Sequence, residues 1–413
     1  MRRVLIVSYH FPPVNRVASR RYGVMCKYLE MFGYEPYIIT TNYDRTLKGN
    51  ACLDLEIPVD KKKIIRIGTP KRNCEIESFF WNFVLDQMDL YKIESRTLSR
   101  GSIGWYEKVK RNLRLEDIKD VDIIIGTYPP MENLYVAAYL SRKLKCPYIV
   151  DIRDLISDYI ETTPGYKDSR WLDQVLERKI LREAEGIVTV TSGFRNILKK
   201  RYPDKQFKVV FNGWDERKYE EIAYEPKEKY LYYAGSLYLH RLESFELLMK
   251  CLKRVNLVTN ERYKLIIRSI GPKTLDEQAK RMVQKEGMQE YIAILETVPE
   301  DIVKREQKQA YINVVLSTIH EDDEALMTTI PGKVYELLNE RVPILAIVPK
   351  GSDVEKVLCY TDKGIVSTDE KEIVDFILGD HRQYRGNIKI GYFTRKKQAE
   401  RLCRFMDKVL KNT

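Results

Sequence analysis

Short apolar runs alternate with helix-like segments along most of this 413-residue chain, in two series that a charged stretch separates. In the first series, the predicted strands are residues 4–7, 37–40, 64–67, 121–126, 148–151, 187–190 and 208–211, and the predicted helices are 16–32, 131–144, 171–184 and 194–202. Strands that alternate with helices pair in parallel, because each crossover returns the chain to the same end of the sheet. We therefore predict an α/β domain with a doubly wound parallel sheet.

A second alternating series follows a break in this pattern. Asn212-Gly213 ends the first series, and residues 219–229 are charged and lack periodicity. Apolar and helical segments then resume at residues 230–234, 245–258, 265–270, 275–286, 291–295, 312–316, 331–341, 344–348, 354–360, 364–366 and 372–378, before a basic helix at 392–410. We predict two domains, 1–215 and 216–390, followed by a C-terminal helix at 391–413.

The charge of the chain favours anionic partners. Lys and Arg outnumber Asp and Glu by 71 to 60, which gives a net charge of +11. Such a balance suits nucleotides or an anionic lipid surface, and no nucleic-acid-binding module is recognisable, so we expect no nucleic-acid partner. The seven cysteines occur singly, without a C-x-x-C pair, which is typical of reduced thiols. Because no apolar run is long enough for a bilayer span or a signal peptide, we expect a cytoplasmic protein.

Polar clusters follow the predicted strands of the first domain, where ligands of doubly wound sheets bind. His10 lies in the loop Ser8-Tyr9-His10-Phe11-Pro12-Pro13, which lacks G-x-G-x-x-G and so does not favour a dinucleotide. This rigid loop would leave space for a bulky acceptor; alternatively, His10 only caps the sheet. Asp151 ends a later predicted strand and Arg153 follows it, and a carboxylate there is a candidate base or hydroxyl ligand. The alternative is an Asp–Arg cluster whose members satisfy one another.

The second domain has candidate phosphate ligands at two strand ends. Gly235 follows a strand and would let the backbone approach a phosphate, while Arg241 could bind a diphosphate bidentately. Gly332 and Lys333 open a predicted helix, whose free N–H groups favour an anion, and Glu336 lies one turn further, within reach of sugar hydroxyls. An ordinary helix with a Lys and a Glu in its first turns is the alternative. The acidic loop at 317–324 lacks a metal-binding pattern, so no metal site is expected.

Together and in this order, these segments resemble the GT-B glycosyltransferases of family 4, in their bacterial polysaccharide and cell-envelope branch. The matching segments are Tyr9-His10-Phe11-Pro12-Pro13, Thr127-Tyr128-Pro129-Pro130, Asp151-Ile152-Arg153-Asp154, Asn212-Gly213-Trp214-Asp215, Ala234-Gly235-Ser236-Leu237, and Pro331-Gly332-Lys333 with Glu336. The resemblance implies two Rossmann-like domains that face each other across a cleft, with the C-terminal helix crossing back to the first. The second domain would bind a nucleotide-diphosphate sugar, and the first would bind a glycan or lipid-linked acceptor.

The resemblance also implies roles for residues of the second domain. In the family, a Gly-Arg pair and a later Lys hold the diphosphate; here Gly235 matches, Ser236 stands at the Arg position and Arg241 at the Lys position. Lys333 would substitute for the missing Arg. The resemblance further implies that cations and a helix dipole, with no metal or other cofactor, stabilise the leaving diphosphate, and that the anomeric configuration is retained.

Two glutamates, separated by seven residues, contact the donor in this family. Glu336 matches the second, which holds the ribose hydroxyls, whereas Thr328 occupies the place of the first, which contacts the sugar. The donor sugar is therefore left open by the sequence. A GT-B sugar-nucleotide epimerase and a non-catalytic nucleotide-sugar or glycan-binding protein remain alternative functions, the second because Thr328 and Ser236 stand at charged positions of the family.

On the acceptor side, the resemblance places Asp151 and His10 near the anomeric carbon, with Arg153 beside them, and Asn212 and Gly213 at a hinge that closes the cleft. A basic first helix and the aromatic and basic residues of 79–114 lie in the same domain. This chemistry suits a lipid-linked glycan and peripheral contact with the inner, anionic face of a membrane. An ordinary solvated basic face over an aromatic core is the alternative.

Overall fold

The computed structural model describes residues 1–43, 55–68, 76, 78–95, 97–158, 167–215 and 229–413. These residues form two compact units, one of Met1–Asn212 with Arg395–Thr413 and one of Gly213–Thr394. The first part of the first unit thus ends at Asn212, whereas the sequence prediction placed the domain boundary at residue 215. Of the charged stretch at 219–229 that marked this boundary, only residue 229 lies within the described residues.

The first unit contains the strands β1 (Arg2–Val7), β2 (Tyr34–Thr40), β3 (Ile64–Arg66), β4 (Ile93–Glu94), β5 (Ile123–Tyr128), β6 (Tyr148–Ile152), β7 (Lys167–Asp168), β8 (Gly186–Thr189) and β9 (Gln206–Val209). Seven of them form a parallel sheet in the order β3-β2-β1-β5-β6-β8-β9, and β4 pairs with β7. The order reverses between β1 and β5, and a crevice at such a point is where doubly wound sheets bind ligands.

The helices of the first unit that precede the second unit are α1 (Val17–Leu29), α2 (Phe79–Leu90), α3 (Arg100–Asn112), α4 (Glu132–Leu144), α5 (Arg170–Glu183) and α6 (Ser192–Arg201). Shorter 3-10 helices are Glu30–Phe32, Lys61–Lys63 and Leu115–Ile118. The sequence analysis assigned no helix or strand to residues 79–115, and this was wrong, since they contain α2 and α3. Their aromatic residues hide the helical period, and α2 begins where the Ser78 hydroxyl accepts a hydrogen bond from the backbone N–H of Trp81.

The second unit contains the strands β10 (Tyr230–Ala234), β11 (Lys264–Arg268), β12 (Ile292–Leu295), β13 (Ile312–Leu316), β14 (Ile344–Ile347) and β15 (Gly364–Val366). They form one parallel sheet in the order β12-β11-β10-β13-β14-β15, which is the Rossmann order 3-2-1-4-5-6. The order reverses between β10 and β13. The predicted pair of doubly wound, Rossmann-like sheets is therefore confirmed.

The helices after β10 are α7 (Leu239–Val258), α8 (Lys273–Lys285), α9 (Glu300–Gln309), α10 (Glu324–Met327), α11 (Gly332–Leu338), α12 (Asp353–Thr361), α13 (Glu370–Leu378) and α14 (Arg395–Asn412). Two 3-10 helices, Arg382–Tyr384 and Ile388–Phe393, precede α14. Helix α14 belongs to the first unit and packs on α1. Its residues Leu402 and Met406 share a buried cluster with Val4 and Ile6 of β1.

The central strands of the two large sheets are buried on both faces, as their near-continuous apolar sequences predict. In β14, all four residues from Ile344 to Ile347 are fully buried, as are Val4 to Val7 at the end of β1. Among the described residues, no helix combines the length and the apolar composition that a bilayer span requires.

The described cysteines differ in their exposure. Cys359 is exposed, whereas the others are buried as free thiols: Cys26, Cys146, Cys251 and Cys403. Cys52 and Cys74 lie outside the described residues. All five of the described cysteines are free thiols, in agreement with the expected reduced state, although Cys359 does not lie in the core.

Candidate functional site

The carboxyl end of β10 and the start of α11 meet around Gly235 and Lys333. A Cβ atom added at Gly235 would overlap the ammonium nitrogen of Lys333, so the absence of a side chain at Gly235 makes room for this cation. The backbone N–H of Gly235 donates to the carbonyl of Arg268, 2.9 Å away, which ties the turn to β11. Two segments that the sequence predicted separately as phosphate ligands are therefore in contact.

The ammonium of Lys333 is a buried cation in an unusual environment. Its nitrogen lies 3.8 Å from the centroid of the Tyr233 ring and has no hydrogen-bond acceptor among the described residues. Burial, together with the charge of Arg241, lowers the pKa of this ammonium well below its usual value, although the carboxylate of Glu336 opposes the shift. Because a buried cation is costly unless an anion or acceptors surround it, this position is suited to an anionic ligand.

Arg241 brings a second cation to the same place. Its Nη1 donates to the carbonyl oxygen of Ser236 at 2.9 Å, and its guanidinium lies 5.0 Å from the centroid of the Tyr238 ring. The Nε of Arg241 is buried and has no acceptor among the described residues. Ser236 itself is buried, and its carbonyl also accepts from the Tyr233 hydroxyl at 2.8 Å. The backbone of Ser236 thus orients Arg241, while the arginine retains donor capacity.

Glu336 lies one turn into α11, and its side chain is 34% exposed. Its Oε2 accepts a hydrogen bond from the ammonium of Lys304, 3.3 Å away, whose side chain is only 8% exposed. Lys304 belongs to α9 and was not singled out from the sequence. No pattern signals such a contact, because the two residues are 32 positions apart and lie on different helices.

Thr328 and Gly332, the two remaining candidates of this unit, have less distinctive positions. The Thr328 hydroxyl donates to the backbone carbonyl of Glu324 at 2.7 Å and so helps to end α10. A Cβ atom at Gly332 would meet nothing within 4 Å, so packing does not require glycine there. Helix α11, which Gly332 opens, has seven residues.

Asp151 of the first unit lies in the protein interior, where neighbouring side chains bind its carboxylate. Its carboxylate is fully buried, and its two oxygens accept from Nε and Nη2 of Arg21, each at 2.8 Å. The Thr127 hydroxyl donates to the same carboxylate at 3.1 Å. Asp151 therefore belongs to a self-satisfied Asp–Arg cluster, which was the alternative left open above, but its partner is Arg21 rather than Arg153. We do not retain Asp151 as a candidate base.

Arg21 also reaches the last residues of the first unit. Its Nη1 donates to the Oδ1 of Asn212 at 3.1 Å, and its Nη2 donates to the carbonyl of Val210 at 3.1 Å. The second unit begins at the next residue, Gly213, whose φ of 66° is one that glycine adopts readily. Asn212 is thus held within the first unit, immediately before the change of unit.

His10 and Arg153 lie at the carboxyl ends of β1 and β6. Burial, with the charges of Arg16 and Arg153, lowers the pKa of His10 to about 4, so its imidazole is neutral at pH 7. Arg153 is itself buried; its Nε donates to the Thr127 hydroxyl at 3.2 Å, and its Nη2 donates to the carbonyl of Pro129. A neutral imidazole can accept a proton or bind a hydroxyl group.

Glu132 is a buried carboxyl group that the sequence analysis missed. It lies in the first turn of α4, just beyond β5, and is 7% exposed. Burial raises its pKa to about 7. Nothing in the sequence distinguishes Glu132 from an exposed acidic residue at a helix start, which is common. Within the described residues, no group of three His, Cys, Asp or Glu side chains is arranged to hold a metal ion.

No family model and no curated protein matches this sequence. Solved structures do match: sucrose-phosphate synthase from Thermosynechococcus elongatus is 12% identical, with coverage of 100% of this chain and 97% of that chain and a TM-score of 0.61. HepE from Anabaena, in complex with UDP and glucose, is 9% identical, with coverage of 100% and 98% and a TM-score of 0.57. The lipopolysaccharide outer core galactosyltransferase WaaB is 12% identical, with coverage of 98% and 100% and a TM-score of 0.57. The chain therefore has the GT-B fold of these glycosyltransferases, with two Rossmann-like domains.

Proposed function

We propose that this protein is a glycosyltransferase whose second unit binds a nucleotide-diphosphate sugar and whose first unit binds the acceptor. The observation that carries this proposal is the buried ammonium of Lys333, which lies beside Gly235 and has no acceptor among the described residues. A diphosphate would supply the anion that this position suits. Its place beyond the carboxyl end of β10 is where Rossmann-like sheets bind nucleotides.

The residues of the second unit have distinct roles in this proposal. Lys333 and Arg241 bind the diphosphate and stabilise the negative charge that develops on it as the glycosidic bond to the sugar breaks. The turn at Gly235 brings backbone close to the phosphates. Glu336 accepts hydrogen bonds from the ribose hydroxyls. With two cations at the leaving group, the reaction requires no metal ion, and by resemblance to family 4 we propose that it retains the anomeric configuration.

The names of the matching structures agree with this proposal. HepE was solved with UDP and glucose, and WaaB is described as a galactosyltransferase of the lipopolysaccharide outer core. We accordingly propose a sugar donor of the nucleoside-diphosphate class and a glycan or lipid-linked acceptor of a bacterial cell envelope or polysaccharide. His10, neutral at pH 7, is our candidate on the acceptor side.

Peripheral contact with a membrane, from the cytoplasmic side, is a finer part of the proposal. Three aromatic residues of α2 expose large fractions of their surface, with Phe79 at 86%, Phe80 at 62% and Phe83 at 55%. Exposed aromatic side chains on a basic protein favour an anionic lipid interface. Flotation with anionic vesicles at low salt tests this part, and protein that stays at the bottom of the gradient would contradict it.

Binding of nucleotides and transfer of sugar test the whole proposal. We expect UDP, ADP or GDP, or one of their sugars, to raise the melting temperature, because a ligand of the folded state stabilises it. Transfer is then measured with a lipid-linked glycan acceptor, and the anomeric configuration of the product by NMR. A free epimerised sugar without acceptor would support an epimerase instead. Binding without hydrolysis or transfer of any donor would support a non-catalytic protein.

A further inference from the structure

We propose that Lys304 is a positioning residue, which holds the carboxylate of Glu336 oriented toward the ribose of a bound nucleotide. This inference rests on the proposed function and extends it to a residue that does not contact the ligand. Lys304 belongs to α9, whereas Glu336 belongs to α11, so the pair connects two helices of the second unit.

The geometry assigns the two side chains different positions. The ammonium of Lys304 lies 3.3 Å from Oε2 of Glu336, and the lysine side chain is only 8% exposed. The Glu336 side chain is 34% exposed. A bound ribose can therefore reach Glu336 from solvent, while Lys304 supports the same carboxylate from the protein interior.

A second carboxyl group shares the environment of Lys304. Glu340 is 5% exposed, and burial raises its pKa, whereas the charges of Lys304, Lys308 and Lys363 oppose the shift. Lys304 thus lies near two acidic residues of the same short segment. Because a buried ammonium is costly without a partner, the pairing also fixes where Lys304 can lie.

Recognition of a ribose places specific demands on Glu336. A ribose presents two neighbouring hydroxyl groups, and a carboxylate accepts from both only when it is charged and correctly oriented. A buried cation on one oxygen meets the demand for orientation, because it restricts rotation of the carboxylate. Loss of Lys304 should therefore weaken recognition of the ribose hydroxyls and leave recognition of the diphosphate unchanged.

The test compares ribonucleotides with analogues that lack both hydroxyls. Binding of UDP, ADP and GDP and of their 2′,3′-dideoxy forms is measured by calorimetry for the wild type and for Lys304→Met, Lys304→Arg and Lys308→Met. In the wild type, we expect the ribose form to bind about tenfold more tightly or better, as two hydrogen bonds to a charged group predict. Lys304→Met should reduce this ratio to about threefold or less, with little change for the dideoxy form. Lys304→Arg should restore much of the wild-type ratio.

Lys308→Met is the matched control, since Lys308 lies one turn further along α9, and it should leave the ratio unchanged. Each variant is first checked for a cooperative melting transition. If Lys304→Met weakens both nucleotide forms equally, or neither, Lys304 has only a structural role and the inference fails while the proposed function stands. If none of the three diphosphates binds the wild type, the proposed function fails, and this inference fails with it.

Discussion

The ammonium nitrogen of Lys333 lies 3.8 Å from the centroid of the Tyr233 ring, beside the turn at Gly235. A cation over an aromatic face is attracted to the ring by roughly 0.5–2 kcal/mol, but the ring replaces few of the hydrogen bonds that water would give an ammonium. Tyr233 therefore holds Lys333 in place without satisfying its donors. This arrangement leaves the ammonium of Lys333 able to donate hydrogen bonds to a ligand.

Lys333→Met should weaken the binding of a nucleoside diphosphate without lowering the stability of the free protein. We expect the affinity for the preferred nucleoside diphosphate to fall about 100-fold, which corresponds to roughly 3 kcal/mol. The melting temperature of the free protein should stay the same or rise, because the substitution removes a buried charge. Calorimetry and thermal unfolding measure the two effects. Wild-type affinity in the variant would contradict the assignment of Lys333 to the diphosphate.

Binding of the diphosphate should take up a proton. The pKa of Lys333 in the free protein is well below that of an ordinary lysine, so its ammonium loses its proton as the pH rises through this lowered value. An anionic ligand favours the charged form and raises the pKa, so affinity should fall as the pH rises through the pKa of the free protein. Calorimetry in two buffers of different ionisation enthalpy, repeated over a series of pH values, measures the uptake. Lys333→Met should show less uptake, and an equal value in both proteins would count against this linkage.

Gly235→Ala should weaken binding and also lower stability. The added Cβ overlaps the end of the Lys333 side chain, which is flexible and can move, but the φ of 156° at Gly235 is one that residues with a side chain rarely adopt, so the variant is also strained. The displaced ammonium no longer lies at the turn, and we expect about tenfold weaker binding of the diphosphate. Gly332→Ala is the matched control, because a Cβ there meets nothing within 4 Å. Similar losses for both variants would show that the overlap is not the cause.

Asp151→Asn should destabilise the first unit. The substitution removes the charged partner of Arg21, whose guanidinium is almost completely buried, and breaking such a pair costs about 3–5 kcal/mol. Thermal and urea unfolding measure this loss. If the variant instead unfolds like the wild type and loses only catalytic activity, Asp151 is a reacting group after all.

The stability of the protein should depend on pH through Glu132. Its pKa is about 7 in the folded state against an ordinary value of 4.5, so the folded state binds the proton more tightly than the unfolded state. This contribution to stability is complete below the unfolded pKa and is lost as the pH rises through 7. Glu132→Gln should therefore gain about 2.5 kcal/mol relative to the wild type between pH 5 and pH 8. The melting temperatures of both proteins at pH 5 and pH 8 test this. An equal change of melting temperature with pH in the two proteins would refute it.

The fold could be predicted because its signals are local. Continuous apolar runs such as Ile344–Ile347 indicate buried parallel strands, and the helices between them set the topology. The ends of individual elements were less predictable. The strand β5, for example, covers Ile123–Tyr128 rather than the predicted 121–126, because the polar residues Thr127 and Tyr128 continue the pairing with β6.

For the candidate site, the sequence indicates residues but not their contacts. Gly235, Arg241 and Lys333 are candidates because of their places at strand ends and helix starts. The contacts between side chains of the site do not follow from the sequence, because partners such as Lys304 and Glu336 are far apart in the chain. The same applies to Asp151, whose partner Arg21 is 130 residues away, so the sequence suggested the nearby Arg153 instead. Local patterns indicate which residues can bind a ligand or react. Tertiary contacts decide which of them are already bonded to other residues of the protein.

The first unit includes α14, although 182 residues of the second unit, from Gly213 to Thr394, come between its two parts. A ribosome therefore makes most of the first sheet long before the helix that completes its core. The second unit is continuous and can fold as soon as it emerges, whereas the cluster around Val4 and Ile6 must wait for Leu402 and Met406. During synthesis, the first part of the protein to be made would thus be the last to be finished.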